Sequence, residues 1–288
     1  MTGWIVINGF MVSPKFQEIY QMFVDAFGRR NISLEIKTNA DILLEINQKI
    51  QKEADFILFW DKDVRLAKHL EQQGFRLFNQ ADSIEACDDK GLTAILLENS
   101  GIEMPRTIVA PMTYPSIGYS SLNFADKIIK RLNFPIIVKE SRGSFGQQVY
   151  LAETKSELLQ LISKIVPNSM IFQQFISSSF GKDVRIYVIG DEVVASVARR
   201  GKEGDFRANV TNGGRMIPFE VSSEMKTIAL KAAKCLNLDY AGIDILFGPN
   251  NKPILCEVNS NAHFKNLYNA TGINLSEKLA DHILKKLK

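Results

Sequence analysis

Cysteine is scarce in this sequence of 288 residues. The three cysteines, Cys87, Cys235 and Cys256, lie far apart, and none belongs to a Cys-x-x-Cys pair. An odd and dispersed set does not make a disulfide framework, and it lacks the paired spacing of a structural zinc site. We therefore exclude both kinds of site, and the cysteine usage favours a reducing compartment, the cytoplasm.

Long apolar runs and a basic leader are also missing. The first apolar run covers residues 4–7, has no basic residue before it and ends at Asn8. It is therefore typical of a first strand and not of a signal peptide. No run approaches the roughly 20 residues of a membrane helix. We expect no membrane partner.

The sequence has no large excess of either charge. It contains 35 basic and 32 acidic residues, a net charge of +3, which gives no electrostatic basis for extensive binding to nucleic acid. One local basic cluster contains Arg199, Arg200, Lys202 and Arg207 among glycines, without an interleaved aromatic platform. This pattern indicates a loop of donors for carboxylate or phosphate. We expect Arg199 or Arg200 to hold a carboxylate, and nucleic acid is not favoured as a partner.

Short apolar segments alternate with helical patterns over the first 80 residues, which predicts a small parallel α/β unit. The expected strands and helices alternate along residues 4–7, 14–30, 33–36, 41–51, 55–60, 64–73 and 76–79. Such a unit can bind a ligand at the carboxyl ends of its strands. No Gly-x-Gly-x-x-Gly follows the first strand, so we do not predict a dinucleotide-binding domain.

A glycine- and serine-containing loop at residues 141–148 follows a predicted strand at 134–140 and precedes another at 149–151. Glycine lets backbone N–H groups approach phosphate oxygens closely, and Lys139 at the strand end adds a charge. A plain hairpin has the same composition, so the loop alone does not decide between the two interpretations. Upstream, a single helix is expected over residues 83–100, with Ser83 as its N-cap.

Apolar segments at residues 185–189 and 192–197 flank Gly190-Asp191 and predict a tight β-hairpin. Two apolar runs nearer the C-terminus, residues 241–247 and 253–259, flank a turn rich in Gly, Pro and Asn and predict a second β-hairpin. If the hairpin closes without a bulge, Asp244 lies opposite Glu257, and Asn259 shares their face. Facing carboxylates repel unless a cation lies between them, and an oxygen-only set suits Mg²⁺. A single strand carboxylate is ordinarily solvated, but both of these are flanked by apolar residues.

Six short motifs follow one another in the C-terminal part of the sequence. They are KDVR at 182–185, IGDEVVA at 189–195, RRGKEGDFRAN at 199–209, GG at 213–214, AGIDIL at 241–246 and EVN at 257–259. In their order and spacing they resemble the RimK-type branch of the ATP-grasp ligases. The resemblance is dense from about residue 83 and diffuse before it.

The resemblance implies an ATP-grasp fold with α/β and α+β parts. An N-terminal small parallel α/β domain, residues 1–82, would precede two α+β lobes that sandwich ATP. The central lobe, 83–176, would carry the glycine-containing phosphate loop, and the C-terminal lobe, 177–288, would carry the metal site.

The resemblance also implies roles for individual residues. Lys139 and Arg207 are the expected catalytic residues, which would stabilise the transferred phosphoryl group. The metal ligands would be Asp244, Glu257 and Asn259, holding two Mg²⁺ ions that Mn²⁺ could replace. The nucleotide-binding positions implied are Lys90, Lys139, Gln174, Phe175, Asp183, Arg207, Ala208 and Asn209.

The chemistry implied is ADP-forming ligation. A carboxylate attacks the γ-phosphate of ATP, and an amine then displaces phosphate from the acyl phosphate to give an amide. The partners would be ATP, glutamate or a similar amino acid, and a protein tail or small metabolite; a homo-oligomer is compatible with the family. Two alternatives stay open, a non-catalytic ATP-binding regulatory module and a ligase that makes a dipeptide or polyglutamate.

The sequence departs from the family pattern at two places. Gln174 stands where glutamate is usual, and residues 260–263, Ser-Asn-Ala-His, replace a small residue followed by Pro-Gly. The second segment borders the reaction centre, so the pattern does not identify the acceptor. His263 could contact a substrate or transfer a proton, although a loop histidine without a partner is more often incidental.

Overall fold

The computed structural model describes residues 1–143, 146–208 and 214–288. This part of the chain forms one four-stranded parallel sheet, one four-stranded antiparallel sheet and one five-stranded antiparallel sheet, with helices against them. The expected combination of a small parallel α/β unit with α+β parts is confirmed. None of the helices in these ranges has the length and apolarity needed to cross a bilayer.

The first 78 residues build the parallel sheet. Its elements are β1 (Thr2–Ile7), α1 (Pro14–Gly28), β2 (Ser33–Thr38), β3 (Phe56–Phe59), α2 (Val64–Gln72) and β4 (Leu77–Phe78). The strand order is β2-β1-β3-β4. Ser13 caps α1 by accepting the N–H of Phe16, and the buried face of α1 packs against the sheet.

The helix predicted over residues 41–51 is wrong, because this segment has no regular secondary structure. The carboxylate of Asp41 accepts hydrogen bonds from the backbone N–H and the hydroxyl of Thr38, which closes a local turn. Of the apolar residues in the segment, Ile42 is buried, whereas Leu43 and Ile46 are more than two-thirds exposed. A helix here would have no apolar face to pack, and such packing supplies most helical stability.

The single helix predicted over residues 83–100 is also wrong. Two helices, α3 (Ala81–Asp88) and α4 (Lys90–Leu97), meet at Asp89, whose carboxylate accepts the N–H groups of Gly91 and Leu92. Ser83 is not an N-cap; it lies inside α3 and donates to the backbone of Asn237. The break places Lys90 at the start of α4, at the border of a central cleft.

The four-stranded antiparallel sheet follows. Its elements are β5 (Thr107–Val109), α5 (Phe124–Leu132), β6 (Ile136–Glu140), β7 (Val149–Ala152), α6 (Lys155–Ile165) and β8 (Met170–Gln174). The strand order is β5-β8-β6-β7, and helices α5 and α6 bury its outer face. Val138 belongs to that core, so Lys139, the next residue, faces the cleft on the other side.

The five-stranded sheet occupies the C-terminal part. Its elements are β9 (Lys182–Ile189), β10 (Glu192–Arg200), β11 (Arg215–Pro218), α7 (Ser223–Cys235), β12 (Tyr240–Phe247), β13 (Pro253–Asn259), α8 (Lys265–Thr271) and α9 (Leu275–Leu287). The strand order is β11-β10-β9-β12-β13. The predicted tight turn between β9 and β10 is confirmed, with Gly190 at φ +56°.

Buried contacts join the parallel sheet to the five-stranded sheet. Asn79 is fully buried; its amide nitrogen donates to the carbonyl oxygens of Tyr240 and Ser260, and its amide oxygen accepts the N–H of Asp239. A single core cluster contains α1, β9, β12 and α9 side chains. The carboxyl edge of the parallel sheet is thereby held over the end of β13.

Candidate active site

A cleft of about 800 Å³ lies where the three sheets meet. The antiparallel sheets supply Lys139 and Glu257 to its lining, and the parallel sheet supplies Asp61. A cleft of this size at the meeting of three structural units is the usual form of a ligand site.

The register of the β9–β10 ladder determines which charged side chains pair in this part of the cleft. An unbulged ladder from the tight turn would pair Arg199 with Lys182. A bulge between Val193 and Ala195 shifts the register by one residue, and Arg199 pairs with Asp183 instead. The bulge thus converts a repulsive pair of cations into an ion pair.

A second bulge lies in the predicted metal hairpin. Asp244 does lie opposite Glu257, as predicted, but the assumption of an unbulged hairpin is wrong. Ile245 pairs with Leu255, which leaves Cys256 as the extra residue between the two pairs. Without this bulge, Asp244 would not face Glu257 from the observed turn.

Three buried charges, Asp183, Arg199 and Asp244, and the partly buried Arg185 form a network across the sheet. Arg185 binds Asp244 through Nε and Nη2 at 2.7 and 2.6 Å. Arg199 binds Asp183 at 2.7 and 2.5 Å, and its Nη2 also lies 2.8 Å from Asp244. The expected neutralising partner of Asp244 was a metal cation, whereas the structure gives it two guanidinium groups.

The electrostatics of the two carboxylates differ because their neighbours differ. Burial opposes ionisation of Asp244, but the charges of Arg185 and Arg199 outweigh it and hold the pKa of Asp244 below its usual value. Burial raises the pKa of Asp183, and the single adjacent Arg199 does not offset it. Asp244 is therefore the carboxylate that stays ionised most readily.

Glu257 and Asn259 lie on the open side of the same sheet face. The side chain of Glu257 is 28% exposed, and Lys90 Nζ lies 3.6 Å from its carboxylate. Within the described ranges no three His, Cys, Asp or Glu side chains group as a metal site. A cation here would need the amide oxygen of Asn259 and oxygens of a bound ligand beside the carboxylates. That donor set, all oxygen and incomplete without a ligand, fits Mg²⁺ with a nucleotide.

Three cationic side chains, Lys90, Lys139 and Arg207, line the same cleft. Lys90 Nζ donates to the carbonyl of Gly143 at 3.1 Å, and Arg207 Nη1 donates to the carbonyl of Gly146 at 3.2 Å. Lys139 is 7% exposed, with Nζ 3.8 Å from Cys256 Sγ. The ends of the described part of the glycine loop therefore contact the cations that were predicted to bind phosphate.

Gln174 and Phe175, expected to contact adenine, line the far end of the cleft. The backbone N–H of Gln174 donates to Arg106 at 2.9 Å, so this N–H group is not available to a base. Phe175 packs edge-on against Phe180 and Phe206, with ring centroids 6.3 and 6.4 Å away. This end of the cleft is aromatic, in contrast to the charged centre.

The remaining predicted positions differ in whether they line the cleft. Ala208 is buried in the cleft lining, while Asn209 lies outside the described residues. Of the two arginines expected to hold a carboxylate, Arg199 is occupied by Asp183 and Asp244. Arg200 is exposed and does not line the cleft.

The sequence reasoning missed several residues of the cleft, Arg185 and Asp61 among them. Arg185 follows Asp183 by two positions on one strand, and this spacing places both on one face. Asp61 follows the buried strand β3, at the edge where parallel sheets bind ligands. Either signal could have identified these residues.

A model of the RimK-like ATP-grasp domain matches residues 87–283. A probable alpha-L-glutamate ligase of Legionella pneumophila (strain Corby) is 34% identical over 223 residues, 77% of this chain and 71% of that protein. The human N-acetylaspartylglutamate synthase A is 30% identical over 230 residues, 79% of this chain and 57% of that protein. The ATP-grasp ligase PsnB, solved with a minimal precursor, Mg and ADP, superposes with a TM-score of 0.70 at 16% identity, covering 99% of this chain and 98% of that one.

Proposed function

The chain belongs to the RimK-like ATP-grasp family, and we propose that it is a ligase that uses ATP to join a carboxylate to the amine of an amino acid, glutamate or a similar one. The observation that carries the proposal is that Lys90, Lys139, Arg207 and Glu257 line one cleft, with Lys90 Nζ 3.6 Å from the Glu257 carboxylate. Cations beside an oxygen-rich metal position suit the triphosphate of ATP.

The reaction proposed has two steps. An oxygen of the substrate carboxylate attacks the γ-phosphorus of ATP, the bond to the β,γ-bridging oxygen breaks, and ADP leaves. The amine then attacks the carbonyl carbon of the acyl phosphate, phosphate leaves with one former carboxylate oxygen, and the nitrogen loses a proton. The products are an amide, ADP and phosphate.

In this account the described cations exchange one set of oxygens for another. Lys90 and Arg207 donate to the carbonyls of Gly143 and Gly146, and phosphate oxygens would replace these two neutral acceptors. Arg207 also pairs with Asp205 at 3.0 Å, and Lys90 Nζ lies 3.6 Å from Glu257, so these two carboxylates can hold the cations in position beside the phosphates. Charged acceptors form the stronger bond, so the exchange favours nucleotide binding. Lys139, buried beside Cys256, would oppose the charge that develops on the transferred group.

The metal assignment is part of the proposal. Glu257, Asn259 and Asp244 would hold Mg²⁺, which supplies charge neutralisation at the phosphate oxygens when bound. Asp244 Oδ1 accepts one hydrogen bond, from Arg185 Nε, and retains a second lone pair for a cation. The solved complex of PsnB with Mg and ADP supports Mg²⁺ and nucleotide for the fold.

Glutamate is proposed from the relatives. The names of the Legionella and human proteins both contain glutamate, and both align over more than three-quarters of this chain. The carboxylate partner is assigned only as a protein tail or a small metabolite.

The test measures phosphate release from ATP and Mg²⁺ with pooled amino acids, in the presence of small-molecule or protein fractions of a cell extract. Positive pools are split, and products are weighed by mass spectrometry. We expect phosphate to depend on one amino acid and on one fraction, with a product heavier by that amino-acid residue. Tight ATP binding without turnover in every combination would contradict the proposal and favour a non-catalytic nucleotide-binding module.

A further inference from the structure

One part of the cleft lies at the carboxyl edge of the parallel sheet, apart from the cations proposed to bind the nucleotide. Strands β2 and β3 lie on opposite sides of β1, so a crevice opens between the ends of β1 and β3. In open parallel sheets such a crevice is the ligand position. Asn8 follows β1 and Asp61 follows β3 by two residues; Asn8 Nδ2 donates to both carboxylate oxygens of Asp61 at 3.3 Å.

The opposite wall of this crevice is the segment after β13. Asn261 Nδ2 donates to the backbone carbonyl of Asp61 at 2.7 Å, which determines the orientation of the amide. Its Oδ1 is buried and has no hydrogen-bond partner within the described part of the chain. A buried acceptor left unpaired costs about 1–3 kcal/mol, so this oxygen indicates an absent donor.

His263 presents a second buried and unpaired atom, Nε2, within the described residues. Its ring is edge-on to Phe16, with centroids 5.2 Å apart, and its backbone carbonyl accepts the hydroxyl of Tyr187 at 3.0 Å. The ring is therefore held in place by contacts that leave Nε2 unused. Burial, assisted by the charges of Lys15 and Arg185, lowers the pKa of His263 to about 4, so the ring is neutral near pH 7 and can accept a hydrogen bond.

Asp61 completes a set of three acceptors. It is 6% exposed, and burial raises its pKa despite the N–H groups of Lys62 and Asn8. A buried carboxylate in this state gains from a cationic donor. The crevice also has cations at its border, Lys15 and Arg185, both close enough to affect His263. Arg185 is paired with Asp244, which connects the crevice to the proposed reaction centre.

We propose that Asp61, Asn261 and His263 bind the amine of the nucleophilic substrate, and that Lys15 faces its carboxylate. The ligand class is therefore a free α-amino acid, and the site lies between the parallel sheet and the segment after β13. This assignment rests on the proposed ligase function. The three acceptors act as binding and positioning residues, and the segment that departs from the family pattern supplies two of them.

The test uses L-glutamate as the probe, titrated by calorimetry into the protein saturated with Mg²⁺ and a non-hydrolysable ATP analogue. Other amino acids follow if glutamate gives no heat. We expect Asp61→Asn and His263→Leu to weaken binding about tenfold or more, as loss of one charged or buried hydrogen bond predicts. His263→Gln, which can place a polar atom near the position of Nε2, should stay within about threefold of the wild type.

A matched control is available in His69. Its Nε2 is also buried and unpaired within the described residues, but it lies in α2 and does not line the cleft. His69→Leu should bind the amino acid as the wild type does. Wild-type binding by folded His263→Leu and Asp61→Asn, or no binding of any amino acid to the wild type, would overturn the site. Circular dichroism checks that each variant folds. If His263→Leu does not fold, Asp61→Asn alone tests the site.

An assay with hydroxylamine distinguishes a failure of this amino-acid site from a failure of the proposed ligase function. As a small nucleophile at high concentration, it should trap the acyl phosphate as a hydroxamate without using the amino-acid site. We expect His69→Leu to form hydroxamate and amide as the wild type does, and His263→Leu to show a raised KM for the amino acid in amide formation with an unchanged KM for ATP. Absence of hydroxamate from the wild type with every carboxylate fraction would count against the ligase function, and the calorimetric result would still decide the site.

Discussion

The two ends of the cleft differ in which hydrogen-bonding groups have partners. At the end proposed for the nucleotide, Lys90 and Arg207 donate to backbone carbonyls of the glycine loop and lie beside the carboxylates of Glu257 and Asp205. At the other end, Asn261 and His263 have buried acceptors without partners within the described residues. The first end is prepared for an anion and the second for a donor.

The difference indicates how the two ligands would be recognised. An anion that displaces neutral carbonyls can be released again, because the cations have other partners to return to. Nε2 of His263, whose ring packs on Phe16, and Oδ1 of Asn261, whose amide is hydrogen-bonded to Asp61, have no such alternative. The free-energy cost of these unpaired acceptors remains until a donor binds. We therefore expect changes at the nucleotide end to act mainly on turnover and changes at the other end mainly on binding.

The largest expected effect is a loss of turnover, caused by a substitution at the end of the cleft proposed for the nucleotide. Arg207→Ala removes a cation from the proposed transferred phosphoryl group, and we expect kcat to fall about 10²-fold to 10³-fold, as for other lost transition-state donors. The amino-acid affinity should not change. Steady-state phosphate release measures the effect, and Arg131→Ala, an exposed arginine on α5, serves as the matched control. Full activity of Arg207→Ala would remove its assigned role.

The next effect concerns the charge network between the two ends. Arg199→Met leaves Asp183 and Asp244 buried without their shared cation, which should lower the free energy of unfolding by about 3–5 kcal/mol. Arg200→Met changes the neighbouring, exposed arginine, and its effect should lie within about 0.5 kcal/mol of zero. Urea denaturation followed by circular dichroism compares the two variants. Equal stability would mean that the network is not needed for the fold.

The smallest expected effect is on the pH dependence of the free energy of unfolding, and it comes from His263 at the other end of the cleft. Because the folded pKa of His263, about 4, lies below the unfolded value near 6.5, the unfolded chain binds the extra proton between these pH values. Stability from this group is complete above pH 6.5 and is lost as the pH falls towards 4. His263→Gln should therefore flatten the decline in the free energy of unfolding across this window, by at most about 1.4 kcal/mol per pH unit. Parallel curves for wild type and variant would contradict the burial argument.

Much of the fold could be predicted from periodicity and turn chemistry. The apolar runs around the turns at Gly190 and at residues 248–252 predicted both C-terminal hairpins, and the alternation of the first 80 residues predicted the parallel sheet. These features depend on neighbouring residues, which a single sequence displays.

The misses depend on distant contacts. A bulge adds one residue to a strand without changing its apolar pattern, so the pairing of Arg199 with Asp183 was not predictable from the turn. The helix break at Asp89 depends on a cap that the helical pattern conceals. The segment at residues 41–51 has helical spacing but no surface to pack on. Nor could the pattern show that Asn261 reaches the backbone of Asp61, 200 positions away.

The central claim is that a carboxylate is activated by phosphoryl transfer, and oxygen labelling tests it most directly. The carboxylate substrate found by the phosphate-release screen is labelled with ¹⁸O in its carboxyl group and converted with ATP and the amino acid, and the released phosphate is weighed. If the acyl phosphate forms, we expect one ¹⁸O atom in each phosphate, carried over from the carboxylate. Phosphate without the label would show that ATP is hydrolysed by water and would contradict the claim.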